Sequence, residues 1–406
     1  MEKIFTERAH LMCPHMNFGI AMSVDRAYDS SRIKESFSIL AADHPFLRAV
    51  LGFDESDNSY YYDVTDSSKI ELTESEDILT GTDDPKLIYM YELLTGYDWD
   101  IRREGMLKAV VWKLQDKTAF LLVFHHLLAD GRGALDLARE LAEFYVEGKI
   151  RKPASEKLIS SVEDLPKDSK MPLLSRMLVD KANRDWEKEN KKPLTYDKYH
   201  QYADLFLKDD KTIISVSKTP ADELTKMREE CRAHSVTVND LLMAKMYLED
   251  KTDKIIIAKD IRSELPNYNP GALGNYSTAF GVTVKKRSSD IWFLAKEVHK
   301  KVRKTIENPK ALYLVLQCYA NLNPAVLDAA FTAAKGECGS KSAAFIGRLF
   351  FGFENPKGYS ITNLGKIESK SIISAFFIPP ASPAIHRTVG VLTVNGEMTE
   401  IYVDRK

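Results

Sequence analysis

The chain reads as an α/β protein made of two halves with similar element content. Three observations carry this. Its 406 residues exceed what one ordinary core serves, and 44% apolar residues are enough to bury two cores. Two strand-like runs, 107–114 and 118–125, are joined by Gln115-Asp116-Lys117 as a hairpin and lead into a helix. After residue 211 the same mixture of strands and helices returns. No short-period repeat is present, which excludes a solenoid.

In chain order, residues 31–49 read as a helix, with Ile33, Phe37, Leu40 and Ala41 on one face, ended by His44-Pro45. The helix after the hairpin runs from Ala134 to Glu147. Leu137, Leu141 and Phe144 form its buried stripe, and Gly148 is its C-cap. Residues 149–210 are rich in Lys, Asp, Glu and Pro and read as a surface linker with some helix.

The second half opens with a strand at 212–217, and Thr219-Pro220 starts a helix over 221–233. Asn239 or Asp240 caps a helix over 241–248. A buried β-branched strand is expected at 254–258 and another strand at 277–284. Residues 289–306 form a helix with Trp292, Ala295 and Val302 inward, and Asn323-Pro324 starts one ending at Ala334. Strands follow at 359–362, 372–378, 388–394 and 400–403, the last two joined by an Asn395-Gly396 turn.

The net charge of −2 gives no general attraction to nucleic acid or to an anionic membrane. Four scattered cysteines, Cys13, Cys231, Cys318 and Cys338, form no C-x-x-C pair. This argues against a zinc site or a disulfide framework and fits a reducing compartment. The first twenty residues lack the apolar core of a signal peptide, and no apolar run is long enough to span a bilayer. A cytoplasmic protein with no membrane partner is expected.

Chemistry concentrates at His125-His126-Leu127-Leu128-Ala129-Asp130-Gly131. Histidine is the side chain whose ordinary pKa lies nearest neutrality. Here a pair of them closes a rigid strand and enters a glycine-bearing loop. Side chains alternate along a strand, so the two histidines face opposite ways. One is a candidate reagent and the other packs inside. Divergent ligands with no further histidine nearby give no metal site. The absence of G-x-S-x-G argues against a serine triad.

This stretch matches H-H-x-x-x-D-G and resembles the superfamily of chloramphenicol acetyltransferase, nonribosomal-peptide condensation domains and alcohol acyltransferases. Flanking segments resemble it in the same order: His44-Pro45-Phe46-Leu47-Arg48, Tyr97 to Asp100 with Gly105 to Ala109, Val236 to Leu242, Leu273 to Thr278, and Ser360 to Ile367. The D-F-G-W-G block of the plant branch is missing. The resemblance implies two chloramphenicol-acetyltransferase-like subdomains set as a V around a central tunnel. The N-terminal one covers 1–165, a crossover 166–210, and the C-terminal one 211–406.

The resemblance also implies an acyltransferase, with His126 as general base at a thioester carbonyl and His125 in support. Asp130 would pair structurally with Arg262, and Gly131 would allow a tight backbone passage. Ser360, Thr362 and Asn363 are candidate oxyanion donors, and Asn275 and Ser277 candidate tunnel-lining residues. Lysines and arginine between Lys181 and Lys192 either meet coenzyme A phosphates or form a solvated face. No bound cofactor or metal is expected. The leading donor is acyl-coenzyme A and the acceptor a small hydroxyl or amine compound. A carrier-protein-bound donor is the second reading, and a catalytically silent carrier-binding member the third. A monomer suffices, since both halves lie on one chain.

Overall fold

The computed structural model describes residues 2–151, 155–189, 192–250, 252–285, 288–354 and 358–406. Two sheets organise it. A five-stranded sheet has the order Ile372–Ile378, Phe18–Val24, Lys117–Phe124, Leu107–Leu114, Glu71–Ile78. A six-stranded sheet has the order Ser277–Thr283, Lys254–Asp260, Gly358–Ile367, Ile385–Val394, Glu397–Arg405, Thr212–Thr219. A small sheet joins Glu2–Lys3, Ser59–Val64 and Ala49–Asp54.

The expected hairpin forms, with Leu107 opposite Phe124 and Gln115 at φ 52° in its turn. The next helix spans Gly131–Glu147 and buries Leu137, Leu141 and Phe144, and Gly148 caps it at φ 71°. A left-handed residue is needed there, and glycine adopts that conformation without steric cost. The Asn395-Gly396 turn also forms, both residues at positive φ.

Other elements differ from the sequence reading for identifiable reasons. The first long helix ends at Asp43, and Pro45–Arg48 continues as a 3-10 turn, because the residue before a proline is pushed out of the helical region. Thr237 caps the Val238–Glu249 helix in a reciprocal box with Asp240, in place of Asn239 or Asp240. The Lys254–Asp260 strand buries Ile255 and Ile257 and leaves Lys254 and Ala258 exposed, so it is half-buried. In the Ile291–Ile306 helix the inward residues are Leu294, Ala295 and Val298, while Trp292 stacks on His234 at 4.0 Å.

The segment read as a surface linker is the largest correction. Leu173–Glu189 and Tyr196–Asp209 are helices that bury Val179, Ala182, Trp186, Tyr199, Ala203 and Leu207. The first three join Cys318, Val326, Phe331 and Ile346 in a second core. Buried residues recur every three or four positions, and average composition hides such a stripe behind the charged outer face. Lys181 pairs with Asp185 on that face. Asn190 and Lys191 of the charged run lie outside the described residues.

Phe18–Val24 is buried on both faces and so shows no alternation in sequence. Its neighbour Ile372–Ile378 comes from near the end of the chain, with Phe377 opposite Ile20. The second half therefore donates a strand to the first half's sheet. In return, Arg8 near the N-terminus forms a buried bidentate pair with Asp328 on the Pro324–Ala334 helix, at 2.6 and 2.9 Å. Among the described residues no helix is long and apolar enough to cross a membrane.

Candidate active site

The motif sits where the two sheets meet. The hairpin ladder runs one step past the strand, with His125 N–H donating to Met106 O at 2.9 Å. His125 is therefore held as a strand residue, and the chain turns directly after it as Leu128 N–H reaches back to His125 O. The two imidazoles have different surroundings, His125 lying 6.4 Å from the Trp99 ring and His126 packing on Phe18 and His10.

His125 is buried, and its Nδ1 accepts the Leu127 amide at 3.2 Å. That bond leaves its proton on Nε2. Burial, reinforced by nearby His126, pushes its pKa down to about 3. His126 is partly exposed. Its ring packs edge-on against Phe18 at 5.2 Å and face-to-face with His10 at 4.3 Å.

Asn275 determines which nitrogen of His126 carries the proton. The Asn275 amide NH2 donates to the carbonyls of His126 and Leu127, at 2.8 and 3.2 Å. Its Oδ1 therefore faces His126 Nδ1 at 3.0 Å, and His126 Nδ1–H donates to it. The lone pair is left on Nε2. Burial lowers the His126 pKa, against opposing contributions from a backbone hydrogen bond, Asp130 and Asn275. A neutral imidazole with a free Nε2 is the form that can accept a proton.

Asp130 caps the Gly131–Glu147 helix and lies 3% exposed. Its carboxylate accepts Arg262 at 2.8 and 3.0 Å, the Gly133 amide at 2.8 Å and the Tyr276 amide at 2.7 Å. Burial works to raise its pKa, but Arg262 and these bonds outweigh burial and hold it below the ordinary carboxylate value. Asp130 and Arg262 thus form a buried pair across the seam.

The seam packs closely on Gly131. A Cβ there would stand 2.8 Å from Leu364 Cδ2 and 3.3 Å from Phe377 Cζ, so the seam closes on this residue. A cavity of about 110 Å³ opens at the same seam, lined among others by Asp130, Arg262, Ser277, Thr362 and Asn363. His126 and Asn275 are not among its lining residues. Ser360 is engaged within the sheet, donating to Thr388 at 3.1 Å. Among the described residues no group of three or more His, Cys, Asp or Glu side chains could hold a metal.

Three residues near the motif were not found from sequence: Tyr62, whose hydroxyl donates to Leu127 O at 2.7 Å, and Glu7 and His10 of the N-terminal turn. None belongs to a local pattern, and only the fold brings them to the motif. Glu7 is 1% exposed, and its Oε1 has no hydrogen-bond partner among the described residues. Burial raises its pKa from 4.5 to about 7. Below pH about 4.5 the folded and unfolded chains both hold this proton. As pH rises from there to about 7 the unfolded chain ionises first, so stability falls, by on the order of 3 kcal/mol in all. Glu7→Gln is expected to remove this loss. Its urea-unfolding free energy, minus that of the wild type, should grow between pH 5 and 8. A constant difference would contradict the assignment.

Comparison with known proteins gives the family and the fold. The family profile described as "Condensation domain" matches residues 5–249, more than half of the chain. Bacitracin synthase 3 of Bacillus licheniformis is 22% identical over 242 residues, 58% of this chain, and the chain spans only 4% of that protein. Among solved structures, the condensation domain of the Monacolin K polyketide synthase MokA superposes with a TM-score of 0.61 at 12% identity. The match covers 100% of this chain and 91% of that one. The epimerization domain of the third module of tyrocidine synthetase B gives 0.57 at 13%, covering 98% and 88%. Polyketide synthase associated protein 5 from Mycobacterium tuberculosis gives 0.59 at 15%, covering 100% and 92%. The fold is the expected α/β arrangement of two chloramphenicol-acetyltransferase-like halves, and the chain belongs to the condensation-domain family.

Proposed function

We propose that this chain is a condensation-type acyltransferase that moves an acyl group from a thioester on a carrier protein to a hydroxyl or amine acceptor. The observation that supports it most is the neutral His126 ring, its Nδ1–H committed to Asn275 and its Nε2 free. Nε2 takes the acceptor's proton as the acceptor's oxygen or nitrogen bonds to the thioester carbon. The tetrahedral intermediate then collapses, the carbon–sulfur bond breaks, and the thiolate recovers the proton from His126. Thr362 and Asn363, which line the seam cavity, are the candidate donors to the oxyanion. Ser360 and Asn363 are the weaker of the three candidates, because the Ser360 hydroxyl is bonded to Thr388 and the Asn363 amide donates to Asn239 at 3.5 Å.

The family match favours a carrier-tethered donor over free acyl-coenzyme A, the leading reading from sequence. The test offers the protein an acyl group on a carrier protein or on coenzyme A, with a panel of amines and alcohols, and follows product by mass spectrometry. Acceptor-dependent turnover of the carrier-bound donor, well above that of acyl-coenzyme A, is the expected result. Equal turnover of both donors would restore the free-thioester reading. Carrier binding without any turnover would make the chain a silent member.

A further inference from the structure

We propose that His10 is a positioning residue for His126: its ring covers one face of the His126 ring, holding it in plane and keeping water off that face. This rests on the reading of His126 as the proton acceptor. The two rings stack at 4.3 Å with 21° between their planes, and Phe18 closes the site edge-on at 5.2 Å. With Asn275 holding Nδ1, His126 is gripped on its edge, its face and one nitrogen.

His10 occupies a helix of only four residues, Arg8–Leu11, too short to hold its shape alone. Tertiary contacts hold it instead. Arg8 is locked to Asp328 and donates to Asn58 O at 3.2 Å. His10 N–H donates to Glu7 O at 2.8 Å, and Leu11 is fully buried. The pair that ties the N-terminal turn to the Pro324–Ala334 helix thereby also sets the His10 ring on His126.

Four titratable or charged groups surround His126. They are His10 from the N-terminal turn, His125 beside it in the chain, Asp130 at the helix start, and Arg262 behind Asp130. Asp130 is paired with Arg262 and still acts to raise the His126 pKa, against the larger effect of burial. His10 is itself held well below the ordinary histidine value, by burial first and then by His126 and His125. It stays uncharged where His126 works, so it shields His126 without repelling its proton.

The test compares His10→Ala with His10→Phe, which keeps an aromatic face without a titratable nitrogen. The His126 ring is titrated by NMR in each, and the pH profile of kcat/KM is recorded. In His10→Ala the His126 midpoint should rise by about one pH unit, activity on the acid limb should fall roughly tenfold, and the alkaline plateau should fall by a smaller factor as the ring loses its set orientation. His10→Phe should keep the wild-type midpoint and profile. An unmoved His126 midpoint in folded His10→Ala would overturn the proposal, as would His10→Phe behaving like His10→Ala. The titration reads His126 whether or not a donor is turned over. A shifted midpoint in a protein that transfers nothing therefore faults the functional reading alone.

Discussion

His126→Ala is expected to slow acyl transfer by roughly 10²–10⁴-fold, the usual contribution of a placed general base. The fold should survive. Phe18 and Phe124 stack on each other beneath the ring, and the hairpin ladder ends one residue earlier. Asn275 keeps its two backbone carbonyls and loses one partner, at a cost of about 1 kcal/mol. Thiol release from the thioester donor measures the rate, and urea unfolding measures stability. A folded variant that transfers acyl groups at the wild-type rate would remove His126 from the mechanism. His125→Ala should show the reverse pattern, because His125 bonds the turn through Leu127 and faces the interior. Its larger loss is in stability.

Arg262→Leu is expected to destabilise the protein by about 3–5 kcal/mol, because it strands the Asp130 carboxylate in the interior. Arg262 is 7% exposed and supplies two of the four donors to that carboxylate. Asp130→Asn combined with Arg262→Leu should lose much less than the two single changes added together, because no uncompensated charge remains. Urea denaturation of the four proteins closes the cycle. A single-variant loss below about 1 kcal/mol would show that the pair is solvated and holds the halves together weakly.

Much of the motif was legible because it is local. His125, His126, Asp130 and Gly131 lie on one strand end and one helix start, and Gly148 announced where that helix stops. Arg262 was reached only through the family resemblance, since nothing in its own neighbourhood marks it as the partner of Asp130. Asn275 was expected in the tunnel wall, whereas it hydrogen-bonds His126 and sets its tautomer. His10 was out of reach. Four residues of helix carry no periodic signal, and its position depends on Arg8 finding Asp328 far along the chain. The strand at 372–378 was read correctly as a strand, but its neighbour is a non-local fact. Residues 166–210 were misjudged because charged outer faces dominate a composition average.

The exchange of segments between the halves has a consequence for biosynthesis. Phe18–Val24 leaves the ribosome well before one of its two flanking strands, Ile372–Ile378, because nearly all of the described chain lies between them. Until that strand arrives, a seven-residue ribbon that carries Phe18, Ile20, Met22 and Val24 keeps one side unzipped, the kind of surface that captures other nascent chains. Arg8 likewise waits for Asp328. Expression yield should therefore respond to chaperone supply and to translation speed more sharply than equilibrium stability would suggest.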